Sequence, residues 1–371
     1  MHDPIALAVP FFFVLIGLEL AWARRRRVSV YRFTDAITDL SCGITSQVVL
    51  IAWAAAQLVI FTWVYEHARL VTLPGGWIPW AVAFVGVDFC FYWWHRLSHE
   101  VNLMWAAHVV HHQSEDFNLA VALRQAVLTS WTAFPFYLPL AVLGVPPLVF
   151  AVTHALSLLY QFWIHTELVG KVEGPIARVL NLPSHHRVHH AINPEYLDRN
   201  YGGTLIVWDR LFGTFIDEDA RPVYGITKPL RSFDPIWAQV HYWVELVAMS
   251  RACSRPADKI RCWFASPAWK PPGAAPFESG DIHARPKYDR EISRALARYL
   301  AVQYAIVVGA TFSILMWHHA VPASTVVLAV VAILGALVAF GALIERRSWA
   351  VHAEATRIVL GVVAAVVWLK T

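Results

Sequence analysis

Runs of about twenty apolar residues recur along this chain, the length that about 30 Å of hydrocarbon demands of a helix rising 1.5 Å per residue. The first runs from about Pro4 to Ala23, the second lies within Ile44 to Tyr65, and the third runs from about Trp77 to Trp94. From about Val127 to Ile164 the chain is again apolar but broken by Pro135, Pro139, Pro146 and Pro147, which predicts two spans joined by a tight turn. Runs at Leu300 to Trp317 and Thr325 to Ile344 follow, then a short one from Ile358 to Leu369 that either spans or lies in the membrane plane. Eight spans are expected, and the fold class is all-α: a polytopic integral membrane helical bundle.

Composition agrees. Of 371 residues, 57% are hydrophobic and 15% charged, against about 25% charged in soluble domains. Such a chain cannot cover itself with polar surface in water. The net charge of +4 gathers at segment ends such as Arg24, Arg25, Arg26 and Arg27, which reads as topology and not as a nucleic-acid interface. This basic cluster follows the first apolar run instead of preceding it, so the run is a retained anchor and not a signal peptide. Cys42, Cys90, Cys253 and Cys262 lie far apart, form no CxxC pair and are expected to be packing residues.

The basic cluster puts the end of the first span in the cytoplasm, so the third span ends there too. The proline-broken hairpin then returns the chain to the cytoplasm at His165, and Glu345, Arg346 and Arg347 also fall on that side. The stretch from about Thr166 to Arg290, rich in charge, Pro and Gly, is too polar to cross and is expected to form a cytoplasmic domain. Three regions follow: anchor helices over 1–76, a catalytic core over 77–291 and a membrane extension over 292–371.

Eleven of the 18 histidines lie between His95 and His190. WWHRLSHE carries His95 and His99; AAHVVHHQSE carries His108, His111 and His112; PSHHRVHHAINP carries His185, His186, His189 and His190. Residues three and four apart share a helix face, so each group points two or three imidazoles at one place. A lone histidine is usually an ordinary polar residue, but an HxxHH is expected by chance only about 0.05 times at this histidine content. Eight to ten imidazoles exceed what one metal takes and suffice for two, which predicts a dinuclear site facing the cytoplasm. Imidazole alone does not choose among zinc, copper, iron and nickel. The setting points to redox chemistry, because an apolar lipid chain offers a Lewis acid nothing to polarise.

His165 in YQFWIHTE stands at the cytoplasmic end of a span, level with the others, and is a further candidate ligand. His154, three turns deeper, reads as a packed or hydrogen-bonded residue. His67, His241, His283, His318, His319 and His352 fall outside these motifs and receive no role. Asp88, two turns before His95, with Glu100, Glu115 and Glu167 beside the ligand motifs, are candidates to accept the imidazoles' other N–H.

At these residues the sequence resembles the fatty acid hydroxylase and sterol desaturase superfamily, whose diiron sites use HxxxH, HxxHH and a further HxxHH. The match runs from about Asp88 to Thr214. Within it DFCFYWWHRLSHE, HVVHHQSEDFNLAVALRQ, YQFWIHTE, PSHHRVHHAINPEYLDRNYGG and WDRLFGTF resemble the alkylglycerol monooxygenase branch, which cleaves ether lipids with oxygen and tetrahydrobiopterin. The resemblance implies that His95, His99, His108, His111, His112, His165, His186, His189 and His190 serve as metal ligands and catalytic residues. It makes His185 an extra ligand or a support for one. Glu115, Asn118, Arg124, Glu167, Asn200, Trp208 and Asp209 stand in branch-like context without an assigned chemistry. The cofactors implied are two iron ions, with oxygen as co-substrate and tetrahydrobiopterin or another external electron donor, since no GxGxxG fingerprint or fused redox motif is present.

The reading is therefore a membrane-bound diiron oxygenase acting on a membrane lipid, most closely an ether-lipid monooxygenase with an external donor or reductase as partner. The alternative within the superfamily is a sterol, carotenoid or fatty acyl hydroxylase or desaturase. A remoter alternative is a metal transporter or haem-binding protein, but a transporter would set its ionisable residues at the bilayer midplane and a haem protein would use isolated axial histidines. Substrate, donor and oligomeric state stay open at this level.

Overall fold

The computed structural model describes residues 4–273 and 280–370, and among these every regular element is a helix, with only two isolated β-bridges. The N-terminal helices are α1 (Pro4–Arg26), α2 (Phe33–Ala68) and α3 (Ile78–Glu100). Three short helices follow, α4 (Asn102–Ala106), α5 (Val109–His112) and α6 (Leu119–Ala122), then the hairpin α7 (Thr129–Val142) and α8 (Pro147–Trp163). The polar region holds α9 (Pro175–Val179), α10 (Pro183–His189), α11 (Val207–Phe212), α12 (Pro235–Ala252) and α13 (Pro256–Phe264). The chain closes with α14 (Arg294–Trp317), α15 (Ala323–Ile344) and α16 (Ala350–Lys370).

Four of these helices, α1, α14, α15 and α16, are long and apolar enough to cross a membrane, and α2 makes a fifth if its two bent halves count as one span. The chain is a multi-pass membrane protein. Eight spans are not reached, for two physical reasons. The hairpin helices have 14 and 17 residues, roughly 21 and 25 Å at 1.5 Å per residue, short of the hydrocarbon thickness. Helix α3 is long, but its last two turns carry His95, Arg96, His99 and Glu100. The final segment, by contrast, is longer than its apolar run suggested, because α16 begins at Ala350 and pairs its own Glu354 with Arg357 against Tyr299 and Gln303 of α14.

Helix α2 starts eleven residues before the expected run, with Thr34, Asp35, Thr38, Asp39, Ser41, Thr45 and Ser46 all buried. Three hydroxyls bond within the helix, Thr38 to the Thr34 carbonyl at 2.8 Å, Ser41 to that of Ile37 at 2.7 Å and Thr45 to that of Ser41 at 2.8 Å, while Thr34 donates to Asp289 and Ser46 to the Ala126 carbonyl. The helix bends by 55° between Ile51 and Trp53. That bend divides its labour between two apolar cores. Ile37 and Val48 pack with Leu300, Val307, Leu337 and Phe340 of α14 and α15. Beyond the bend, Phe61 packs with Ala83, Val87, Phe134 and Phe150 of α3, α7 and α8, stacking on Phe150 at 4.1 Å. Gly43 allows α2 to approach α6 closely, since a Cβ there would lie 2.1 Å from the Leu123 carbonyl oxygen. The α7–α8 turn uses Gly144 at φ +82°, a left-handed conformation that favours glycine, followed by Pro147 at the start of α8.

Candidate metal centre

Five segments meet at one end of the hairpin core: the last turns of α3, the α4–α5 connection, the end of α8, helix α10, and the loop from Arg199 to Thr214. They gather nine of the ten candidate imidazoles into two buried groups. One holds His95, His99, His108, His112 and His189; the other holds His111, His165, His186 and His190. Within each group the ligand nitrogens all lie within 4.8 Å of one another.

Helix geometry sorts them. His95 and His99, His108 and His112, and His186 and His190 are i,i+4 pairs, and each pair stays together in one group. The intervening His111 and His189 cross to the other group, so each HxxHH supplies both groups and not one, as its spacing had suggested. The groups touch, with the His112 and His190 rings stacked at 4.3 Å and those of His189 and His190 5.3 Å apart.

His185 stands outside both groups. Its Nδ1 accepts the backbone N–H of Leu182 at 3.3 Å and its ring packs on Phe215. His154 is packed between Tyr137 and Phe150, 4.9 and 5.6 Å away. All four cysteines are buried and free.

The outward nitrogens settle the tautomers. Nδ1–H of His95 donates to the Tyr201 carbonyl at 2.8 Å, that of His111 to Arg124 at 3.0 Å, that of His165 to Gln161 at 2.7 Å and that of His189 to Arg199 at 3.0 Å. A carbonyl only accepts, so in a neutral ring each Nε2 is left as a lone pair facing inward. Neutrality follows from burial, which pulls His111 down to about 4 and His189 to about 3 and lowers the others as well. The carboxylates expected as acceptors are not the ones used: among the described residues Asp88, Glu100, Glu115 and Glu167 bond none of these ring nitrogens, and backbone carbonyls take that place.

Two lone pairs cannot hydrogen-bond, yet Nε2 of His165 lies 3.2 Å from Nε2 of His111. Other Nε2–Nε2 distances are 2.9 Å for His186 to His165, 3.2 Å for His190 to His186, 3.1 Å for His95 to His108 and 3.2 Å for His112 to His108, pairs in which no carbonyl fixes the tautomer of at least one ring. Nitrogens bound at right angles on one metal with bonds of about 2.1 Å would lie about 3.0 Å apart, against about 3.4 Å for a tetrahedral pair. Buried Nε2 of His99 and of His189 have no hydrogen-bond partner at all. The residues therefore fit a pair of metal ions, with the spacing of ligands at right angles.

The candidates left without chemistry prove to be clamps. Asp88 accepts the N–H groups of Thr204 and Leu205 at 2.6 and 3.0 Å and the Trp208 indole at 2.9 Å. Asp209 accepts the N–H groups of Tyr201 and Gly202, both at 2.7 Å, and burial pushes its carboxyl up to about 6. Together they shape the loop whose Tyr201 and Arg199 carbonyls hold His95 and His189. Asn200, at φ +56°, bonds the carbonyls of His185 and Ile216, while Asn118 caps α6 and donates to Val30. Arg124 is fully buried: it pairs with Asp39 of α2 at 3.0 Å, donates to Val110 and Gln113, and its own carbonyl holds His111. Glu115 accepts the N–H of Tyr288, and Glu100 pairs with Arg96 at 2.9 Å.

Several site residues carried little sequence signal. The Tyr201, Arg199 and Gln161 carbonyls carried none, because any residue type supplies a backbone oxygen. Glu19 could have been found, since an acid inside an apolar run is costly unless paired. It draws α1 onto the site by accepting Thr166 Oγ1 at 2.5 Å, the N–H of Leu119 at 2.9 Å and the Tyr31 hydroxyl. Phe117 packs 5.6 Å from His165 and 5.2 Å from His190.

Comparison with known proteins adds an independent line. The profile of the family described as Fatty acid hydroxylase matches residues 80–214. Alkylglycerol monooxygenase of Homo sapiens is 39% identical over 363 residues, covering 96% of this chain and 81% of that protein. The protein of the same name from Danio rerio is 39% identical over 367 residues, covering 95% and 80%. Ornithine lipid hydroxylase OlsE of Rhizobium tropici is 30% identical over a shorter stretch, 143 residues, covering 37% of this chain and 43% of that protein. No solved structure matches the chain significantly.

Proposed function

Because the chain belongs to the fatty acid hydroxylase family, in its alkylglycerol monooxygenase branch, and is thus a membrane-bound lipid monooxygenase, we propose that it hydroxylates the carbon beside the ether oxygen of an alkylglycerol. One observation carries the site assignment: nine buried imidazoles in two touching groups, the ligand nitrogens of each within 4.8 Å of one another. His95, His99, His108, His112 and His189 would hold one iron, and His111, His165, His186 and His190 the other. Iron suits these right-angle spacings better than four-coordinate zinc. Bound there, the iron pair would supply the activation of oxygen that C–H oxidation requires.

The chain's own part is to hold and to exclude. Carbonyls of Tyr201, Arg124, Gln161 and Arg199 fix four rings with Nε2 inward, and the buried packing of Phe117 and Trp94 keeps bulk water from the groups. The ether oxygen lone pair weakens the neighbouring C–H bond, so that carbon is the favoured target. One oxygen atom enters that bond and the other leaves as water, with two electrons from a reduced pterin or another external donor. The resulting hemiacetal collapses to an aldehyde and free glycerol derivative.

The site is read as cytoplasmic. Arg24 to Arg27 end α1, Arg346 and Arg347 follow α15, and Arg32, just beyond the first cluster, donates to Asp116, four residues after His112. That contact sets the end of α1 beside the histidines, which supports a cytoplasmic site under the excess of Lys and Arg in cytoplasmic loops. The polar glycerol would then stay at the interface with the alkyl tail among the helices.

The test is membranes from cells expressing the chain, given labelled alkylglycerol, oxygen and a reduced pterin, beside a His111→Ala control. Release of the long-chain aldehyde by the parent alone is expected. Untouched alkylglycerol with every donor, while a sterol or fatty acyl chain gains a hydroxyl in the same membranes, would replace the reading.

A further inference from the structure

Helices α12 and α13 are not among those long and apolar enough to span, yet each turns an apolar stripe outward. On α12, Ile236, Val240 and Val244 follow at four-residue intervals and are exposed, Val244 to 51%. On α13, Ile260 and Phe264 repeat the spacing and are 66% and 63% exposed. Their inner sides are buried through Ala238, His241, Leu246 and Cys262. A shared stripe on consecutive non-spanning helices is the pattern of helices lying in a membrane interface.

Charge says which interface. Arg251, Arg255, Lys259 and Lys270 are all exposed around the α13 stripe, whereas Asp258, the acid on that helix, is half-buried. Trp237 is also exposed beside the α12 stripe, as expected of side chains at headgroup level.

The pair is fixed to the bundle. α12 starts at Pro235 where Gly341 of α15 meets the Phe233 carbonyl so closely that a Cβ would lie 2.6 Å from it. At the other end, Asn102 donates its N–H to the Ala265 carbonyl at 2.9 Å and its amide to that of Cys262 at 2.9 Å, and accepts the Tyr242 hydroxyl at 2.6 Å. Asn102 lies in the connection from His99 to His108. The stripe thus runs from the end of a span to the back of the metal-ligand loop.

We propose that the outer face of α12 and α13 is seated in the bilayer interface and selects anionic phospholipid headgroups through Arg251, Arg255 and Lys259. The region from Thr166 to Arg290 is on this view not wholly in water; its last two helices lie on the lipid.

The test uses the full chain in lipid nanodiscs, with a fluorophore on Ile260→Cys, Phe264→Cys or Val244→Cys and on exposed Glu195→Cys as reference. The parent chain, with its buried cysteines, sets the background. With phosphatidylglycerol present, labels at 260, 264 and 244 should be quenched several-fold more by spin-labelled lipid than by aqueous iodide, and the label at 195 the reverse. Arg255→Glu with Lys259→Glu, or replacement of phosphatidylglycerol by phosphatidylcholine, should at least halve the lipid quenching at 260 and 264. Dominant iodide quenching at those positions would overturn the membrane seat. Lipid quenching indifferent to both charge changes would overturn the headgroup selection, and label-to-label quenching that grows with the number of chains per disc would give the face to a second copy.

Discussion

His111 and His165 face each other across 3.2 Å, Nε2 to Nε2, while each gives its Nδ1–H to a backbone carbonyl. Two hydrogen-free nitrogens at that distance repel unless a cation sits between them. The relationship ties α5 to the end of α8, 54 residues apart in sequence, and it makes the pair dependent on metal.

Metal content should therefore divide by group. Purified protein is expected to hold about two metal ions per chain, and the loss of a ligand from one group to remove about one of them. His108→Ala, in the five-histidine group, and His186→Ala, in the four-histidine group, should each leave about one. Elemental analysis decides it: one ion per chain in the parent, or complete loss in both variants, would argue for a single joint site.

The buried pair of Asp39 and Arg124 supports the same loop from α2. Removing either partner strands the other charge away from water, which typically costs about 3–5 kcal/mol. Arg124→Ala and Asp39→Ala should each lower the unfolding temperature markedly, and the double variant should lose much less than the sum of the two. Additive losses would show that the two residues act separately.

Acid should loosen the metal-free protein. Burial holds His111 at about 4 and His189 at about 3, below their ordinary 6.5. Between those values and 6.5 the unfolded chain binds more protons than the folded one, so stability is fully present above 6.5 and is lost as pH falls. Each such ring contributes a slope of about 1.4 kcal/mol per pH unit within its window. Chelator-stripped protein should show a flat unfolding temperature from neutral pH upward and a fall below about 6.5; a rise on acidification would contradict buried neutral rings.

The parts legible in the sequence were those with a period. Apolar runs announced α1, α14 and α15, and i,i+4 histidines announced both metal groups. Helix α2 was misjudged at its start because hydropathy counts Thr34, Asp35 and Asp39 as polar, whereas the fold pairs Thr34 with Asp289, Asp35 with Arg32 and Ser114, and Asp39 with Arg124. The shortness of α7 and α8 was hidden because apolarity continues through their turn. The carbonyls that orient the rings were invisible in principle, and the search for carboxylates beside the histidines found Asp88 for a different reason: it holds the loop, not the ring.

That difference makes Asp88 the clearest separate test of loop against ligand. Its two oxygens collect three donors, Thr204 N–H, Leu205 N–H and the Trp208 indole, and so bend the chain to present the Tyr201 carbonyl to His95. Asp88→Ala leaves those donors unpaired in the interior, at about 1–3 kcal/mol each before relaxation. The carbonyl should then drift and His95 should lose its fixed tautomer. Loss of a partner that orients a ligand typically weakens metal binding 10–100-fold. The five-histidine group, which contains His95, should weaken by about that factor, while the group of His111, His165, His186 and His190 should keep its affinity because Arg124, Gln161 and α10 are untouched. Asp88→Asn keeps one acceptor oxygen and should fall between. Competition titration with a chelator, read as two separate metal equilibria, measures both groups at once. Equal weakening of the two would mean that Asp88 supports the fold as a whole and not the loop that holds His95.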